Sequence, residues 1–221
     1  MPKFIFLWTD IALFALLVAV LVYAWHVRRS HALRATWSRV ARSAPAMCSA
    51  VVLLAFVVIG LLDSLHYQPR LPPVAGAAPG AAAVYAPKVV SLLDSLLDDT
   101  AFVKPEKTYS APLAYQQFTK ESILQEGGEP TRDFPRLRFG GKHLEKPSAH
   151  WGSDVLKRLS AGLLAGALFG CLLIGLIVRL GGASLRQIWQ GDTELPWRAM
   201  LITAMLMSLS FGAVFALASG Y

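Results

Sequence analysis

Residues Leu159–Val178 read LSAGLLAGALFGCLLIGLIV, twenty consecutive positions without a charge. A helix needs about 20 apolar residues to cross a hydrocarbon core roughly 30 Å thick, so this stretch is long enough to span a bilayer. Three further runs have the same character: Phe4–Val27, Ala44–Leu62 and Ala199–Ala218. The expected fold is an all-α membrane protein with four transmembrane helices. Composition agrees, with 55% hydrophobic and only 16% charged residues and a mean hydropathy of +0.48. A soluble domain carries about 25% charged residues.

The charge distribution predicts an orientation. The net charge is +7, which by itself fits either a nucleic-acid binder or basic loops at a membrane. Arg28, Arg29, Arg34, Arg39 and Arg42 follow the first run with no acid among them, and Arg179, Arg186 and Arg198 stand against Asp192 and Glu194 between the last two runs. These two short loops hold six of the seven net positive charges, as the positive-inside rule distributes arginine. Nucleic acid is therefore not an expected partner, whereas membrane lipid is. With both loops cytoplasmic, the two termini and the long segment between runs two and three lie outside, in the periplasm of a bacterium. The first run follows a single lysine and precedes the arginines. That order favours an uncleaved helix over a signal peptide, which needs a basic start and a small-residue cleavage site.

The expected organisation has three parts. Residues 1–62 hold two transmembrane helices and a basic cytoplasmic loop (about 28–43), read equally well as an amphipathic surface helix or as a solvated loop. Residues 63–157 form a mostly irregular periplasmic lobe, with a Pro/Ala/Gly linker at 69–87. Helical spacing of Val89, Leu92, Leu93, Leu96 and Leu97 predicts one helix over 87–99, and another is expected near 112–124. Residues 158–221 hold two more transmembrane helices and a cytoplasmic loop (about 179–198).

Two features inside the spans bear on partners and chemistry. Gly162, Gly166 and Gly170 recur every fourth residue and so share a face, the small-xxx-small pattern that lets another helix come close. Asp10 is a carboxylate in an apolar run, a functional candidate by default. Its place near the outer end, within reach of headgroups or water, favours the ordinary reading.

Catalytic machinery is not expected. Among His26, His31, His66, His143 and His150 no two stand at the i,i+3 or i,i+4 spacing of a helical metal-ligand pair. Cys48 and Cys171 lie in separate apolar runs and read as small buried hydrophobes. There is no phosphate-binding loop, dinucleotide fingerprint or nucleophile elbow, so no cofactor is expected. Gly140–Gly141, with Arg136, Arg138 and Lys142, has the makings of an anion-binding nest, but a solvated basic turn is the better reading.

The stretch Tyr109-Ser110-Ala111-Pro112-Leu113-Ala114, then Phe118, Lys120-Glu121, Arg132-Asp133-Phe134-Pro135-Arg136-Leu137-Arg138, Gly140-Gly141 and His143-Leu144 resembles the amino-terminal region of bacterial ABC transporter permeases. The subfamily is the oligopeptide/dipeptide type, in a long variant with a periplasmic insertion. Trp189–Trp197 (WQGDTELPW) followed by Arg198 is similar to that variant too. The resemblance covers most of the chain from about Val84 onward. It implies an inner-membrane component of a peptide importer that works with a permease core or partner permease, ATPase subunits and a periplasmic binding protein. In that family a His-x-x-Gly-Thr-Asp-like segment and a permease core follow the last helix, and His150-Trp151-Gly152-Ser153-Asp154 echoes the phrase only faintly. The expectation is therefore an N-terminal part, not transport-competent alone. The alternative is a stand-alone membrane scaffold or assembly protein that binds a partner helix through its glycine face.

Overall fold

The computed structural model describes residues 3–71, 85–98, 111–124, 130–181, 184–191 and 193–221. In chain order the elements are β1 (Lys3–Ile5), α1 (Trp8–Arg29), α2 (His31–Ala41), α3 (Ala44–Asp63), β2 (His66–Gln68), β3 (Val90–Ser91), α4 (Leu92–Leu97), β4 (Glu121–Leu124), β5 (Pro130–Asp133), α5 (Pro147–Gly181), α6 (Leu185–Gln190) and α7 (Trp197–Ala218). Helices α1, α3, α5 and α7 are long and apolar enough to cross a membrane. The architecture is all-α with four such helices and two small sheets. The outer faces of the long helices carry exposed leucine, valine and phenylalanine throughout. In water this much bare apolar surface is untenable; against lipid it is the ordinary state.

The chain forms two compact units. The first holds Met1–Leu96 with Arg186–Met200, the second Leu97–Leu185 with Leu201–Tyr221. In the first unit, β1 pairs antiparallel with β2, and β2 with β3, in the register Phe4↔Tyr67 and Tyr67↔Val90. The start of α1 and the end of α3 therefore share one end of this unit. At its other end, α2 fills the loop between α1 and α3, so of the two readings of residues 28–43 the helix is realised. Arg42, just past α2, meets Glu194 at 3.8 Å, which brings both arginine-bearing loops to that same end.

The lobe differs from expectation in two places. The helix read over 87–99 is the short α4. Ser91 stops it on the N-terminal side: its Oγ accepts from Asp94 N at 2.9 Å, and Ser91 N donates to the Asp94 carboxylate at 3.3 Å, a reciprocal capping box. Val90 and Ser91 are then taken by the sheet. The helix expected near 112–124 does not form. Ala114 N donates to Ala111 O at 3.1 Å and Leu113 has φ 58°, a type II turn with Pro112 at its favoured position. Glu121–Leu124 then pairs with Pro130–Asp133 as a hairpin. The linker residues 72–84, together with Phe102 and Tyr109, lie outside the described residues.

The second unit is organised by α5. At 1.5 Å per residue, its 35 residues reach about 50 Å, some 20 Å more than a hydrocarbon core takes up. The surplus is the polar start, where Asp154 and Arg158 pair at i,i+4. Further along, Gly162, Gly166 and Gly170 bring α5 against α7. A Cβ at Gly166 would come within 2.5 Å of Ser208 O and 3.0 Å of Leu209 Cα, whereas one at Gly175 would meet nothing within 4 Å. Small residues line the α7 side as well: Gly212 faces Gly162 and Gly166.

Candidate functional site

In the second unit the carboxylate of Asp154 gathers three side-chain partners. Its Oδ2 lies 2.7 Å from His143 Nε2 and accepts from Arg158 Nε at 2.9 Å and from the Tyr221 hydroxyl at 3.1 Å. Three parts of the chain meet there. Asp154 and Arg158 come from the overhanging start of α5, His143 from the turn before it, and Tyr221 from the segment after α7. Arg158 also donates to Ser219 Oγ at 3.1 Å, and the His143 and Tyr221 rings stack edge to face at 6.0 Å. Backbone closes the joint: Gly141 N donates to Gly220 O at 2.8 Å. Burial first, then the Asp154 carboxylate, pushes the Tyr221 phenol up to about 12, because the phenolate would sit desolvated beside a negative charge.

The turn that carries His143 is held from the other side by Arg136. Its guanidinium donates to the carbonyls of Gly141 (3.0 Å), Lys142 (3.4 Å) and Leu144. This geometry tells against the anion nest, the less favoured reading of Gly140–Gly141. Gly141 N is already committed to Gly220 O, and Arg136 faces backbone carbonyls, so neither remains for an anion. Gly141 has φ +64°, a conformation that glycine adopts at little cost.

Beside the joint is an open hollow of about 710 Å³, walled by Leu113, Tyr115, Phe118, Phe134 and Trp151. Trp151, one turn of α5 before Asp154, donates its indole N–H to Leu113 O at 2.8 Å. That bond holds Leu113 in its left-handed conformation, which costs a leucine roughly 1–2 kcal/mol.

In the first unit, Asp10 is buried within the chain. It is 2% exposed, accepts from Leu7 N at 2.9 Å and lies 3.0 Å from His66 Nδ1. The chain itself covers this carboxylate, which corrects the expectation that it reaches water. As the third residue of α1, Asp10 turns back onto the first free N–H of the helix, and β2 carries His66 over it. Arg28, Arg29, Arg34, Arg39 and Arg42 are all exposed, at the end of α1 and along α2. Cys171 is exposed on α5 and Cys48 half-buried on α3. Neither is fully buried within the chain, against the expectation of small buried hydrophobes.

Among the described residues no three His, Cys, Asp or Glu side chains are grouped to hold a metal ion. Chemically, the Asp154 cluster is a joint: a carboxylate that binds three partners from separate parts of the fold. No family model, no curated protein and no solved structure matches the chain.

Sequence reasoning missed the joint: Asp154 entered it only as the end of the His150–Asp154 phrase, and Arg158 not at all. The one available signal was that α5 had to start well before its apolar run. His143 and Tyr221 gave none, since their pairing with Asp154 is set by how the lobe folds back.

Proposed function

We propose that this chain is the N-terminal membrane part of a permease subunit of an ABC-type peptide importer in the bacterial inner membrane. In this reading it is not an enzyme and does not transport alone, and it needs a permease core, ATPase subunits and a periplasmic binding protein. Both termini and the lobe are periplasmic, which the arginine asymmetry supports. The observation that carries the reading is the joint around Asp154. It ties a lobe with an apolar hollow to the overhanging start of α5 and to the segment after α7, as a part that shapes the outer entrance of a peptide path would be built. The resemblance across Tyr109–Leu144 supplies the transporter class. A scaffold that binds a partner helix through the glycine face has less support, because α7 already lies along Gly162, Gly166 and Gly170.

Two measurements on the full chain test this. Purified chain in liposomes, with and without ATP, should leave labelled dipeptide uptake at the level of empty liposomes. Tagged chain extracted gently from its native membrane should bring an ATP-hydrolysing subunit with it. Saturable uptake by the chain alone, or recovery without any ATPase, overturns the proposal.

A further inference from the structure

Helix α2 is joined to membrane-spanning helices at both ends by very short links: Ser30 alone on one side, Arg42 and Ser43 on the other. It therefore cannot leave the level at which α1 and α3 emerge from the hydrocarbon. At about 100° per residue, Leu33, Trp37 and Val40 fall on one face and His31, Arg34, Arg39 and Arg42 on the opposite arc. Trp37 and Val40 are 46% and 41% exposed, apolar surface without a protein cover. Trp37 is nevertheless oriented: its indole donates to the Tyr23 hydroxyl at 3.3 Å and the two rings meet edge to face at 6.2 Å. That contact fixes the roll of α2 about its own axis relative to α1.

The charged side is equally uncommitted. No acid occurs between Arg28 and Ser43, and among the described residues Arg28, Arg34 and Arg39 have no ion-pair partner. Arg29 lies over the Trp25 ring at 3.9 Å, and Arg42 meets Glu194 in an exposed pair. A guanidinium matches phosphate with two parallel N–H donors, and it sheds its weak hydration readily.

We propose that α2 is an interfacial helix that binds anionic phospholipid, with Leu33, Trp37 and Val40 in the acyl boundary and the arginines on the headgroup phosphates. Lipid is favoured over a protein occupant by placement. The links hold both faces of α2 at the one depth where apolar chain and phosphate adjoin. The inference is independent of the transport reading.

The test uses the full chain in phosphatidylcholine vesicles containing a minor fraction of phosphatidylglycerol. Spin-labelled phosphatidylglycerol and spin-labelled phosphatidylcholine report, by electron paramagnetic resonance, which lipid is held at the protein surface. The native chain should prefer phosphatidylglycerol, and high salt should weaken that preference. The double variant Arg34→Gln/Arg39→Gln should cut the preference by about half or more, since each basic residue near an anionic surface contributes comparably. Arg34→Lys/Arg39→Lys should keep most of it, which separates lost charge from lost folding. Arg132→Gln, on the exposed strand β5, should not change it. A native chain without preference, a glutamine variant indistinguishable from native, or an equal loss with Arg132→Gln overturns the proposal. So does a glutamine variant that keeps its lipid preference but no longer co-purifies with a protein subunit, since α2 would then be a protein-docking helix.

Discussion

The hydroxyl of Ser208 donates to the backbone carbonyl of Gly166 at 2.7 Å, buried between α5 and α7. Helix backbones come this close only where neither carries a side chain in the way, and both sides of this contact meet that condition. In lipid no hydrophobic force pulls helices together, so packing and interhelical hydrogen bonds hold them.

Gly166→Leu should therefore destabilise the chain by about 1–3 kcal/mol, the range that overpacking costs in well-packed cores. Gly175→Leu should be near neutral, because a side chain there enters open space. Ser208→Ala should cost about 0.6 kcal/mol, typical of interhelical hydrogen bonds in membranes. Ser210→Ala, whose hydroxyl bonds only to Leu206 O of its own helix, should cost less. Unfolding in graded denaturing detergent gives the comparison, and equal tolerance of leucine at 166 and 175 would sink the packing account.

Asp154→Asn keeps the shape of the joint but removes the charge that His143, Arg158 and Tyr221 share. Hydrogen bonds to charged groups are worth about 1.5–3 kcal/mol each when buried, and the Asp154 side chain is only 19% exposed. A loss at the lower end of that range is expected, read as faster proteolysis of the lobe. Glu145→Gln on the exposed turn should cleave at the native rate.

The phenol of Tyr221 is pushed up to about 12 from an ordinary 10.0. The folded state therefore holds this proton more tightly than the unfolded chain does. The resulting stabilisation is fully present below about pH 10 and disappears as pH rises through about 12, so stability falls with pH in that window. In a near-ultraviolet titration, one tyrosine should ionise late in the native chain and be missing from the profile of Tyr221→Phe. A profile unchanged by that substitution contradicts the bond from the Tyr221 hydroxyl to Asp154.

With Cys48 and Cys171 replaced by alanine, a cysteine at Ser122 should react with an impermeant maleimide on intact cells. One at Ser38 should react only after permeabilisation. Both serines are exposed, so accessibility depends on the side of the membrane alone. The opposite pattern reverses the topology.

The four spans were legible because hydropathy is a local property: about 20 apolar residues in a row have one stable home. The arginine clusters were legible for the same reason, and so was the spacing that puts Gly162, Gly166 and Gly170 on one face. The absence of a helix at 112–124 was not. A leucine in a left-handed turn is disfavoured by its own conformational preference, and part of what holds it is Trp151, 38 residues on, which bonds its carbonyl.

What the sequence determined by itself was what neighbours along the chain set: where the four apolar spans run and which faces carry glycine or charge. Tertiary structure alone decided the partners. It laid α7 on the glycine face, brought His66 to Asp10 across 56 positions and Tyr221 to Asp154 across 67. A buried carboxylate must find donors, and the sequence states that need. Which donors answer it depends on how distant segments close on one another, and spacing along the chain does not encode that.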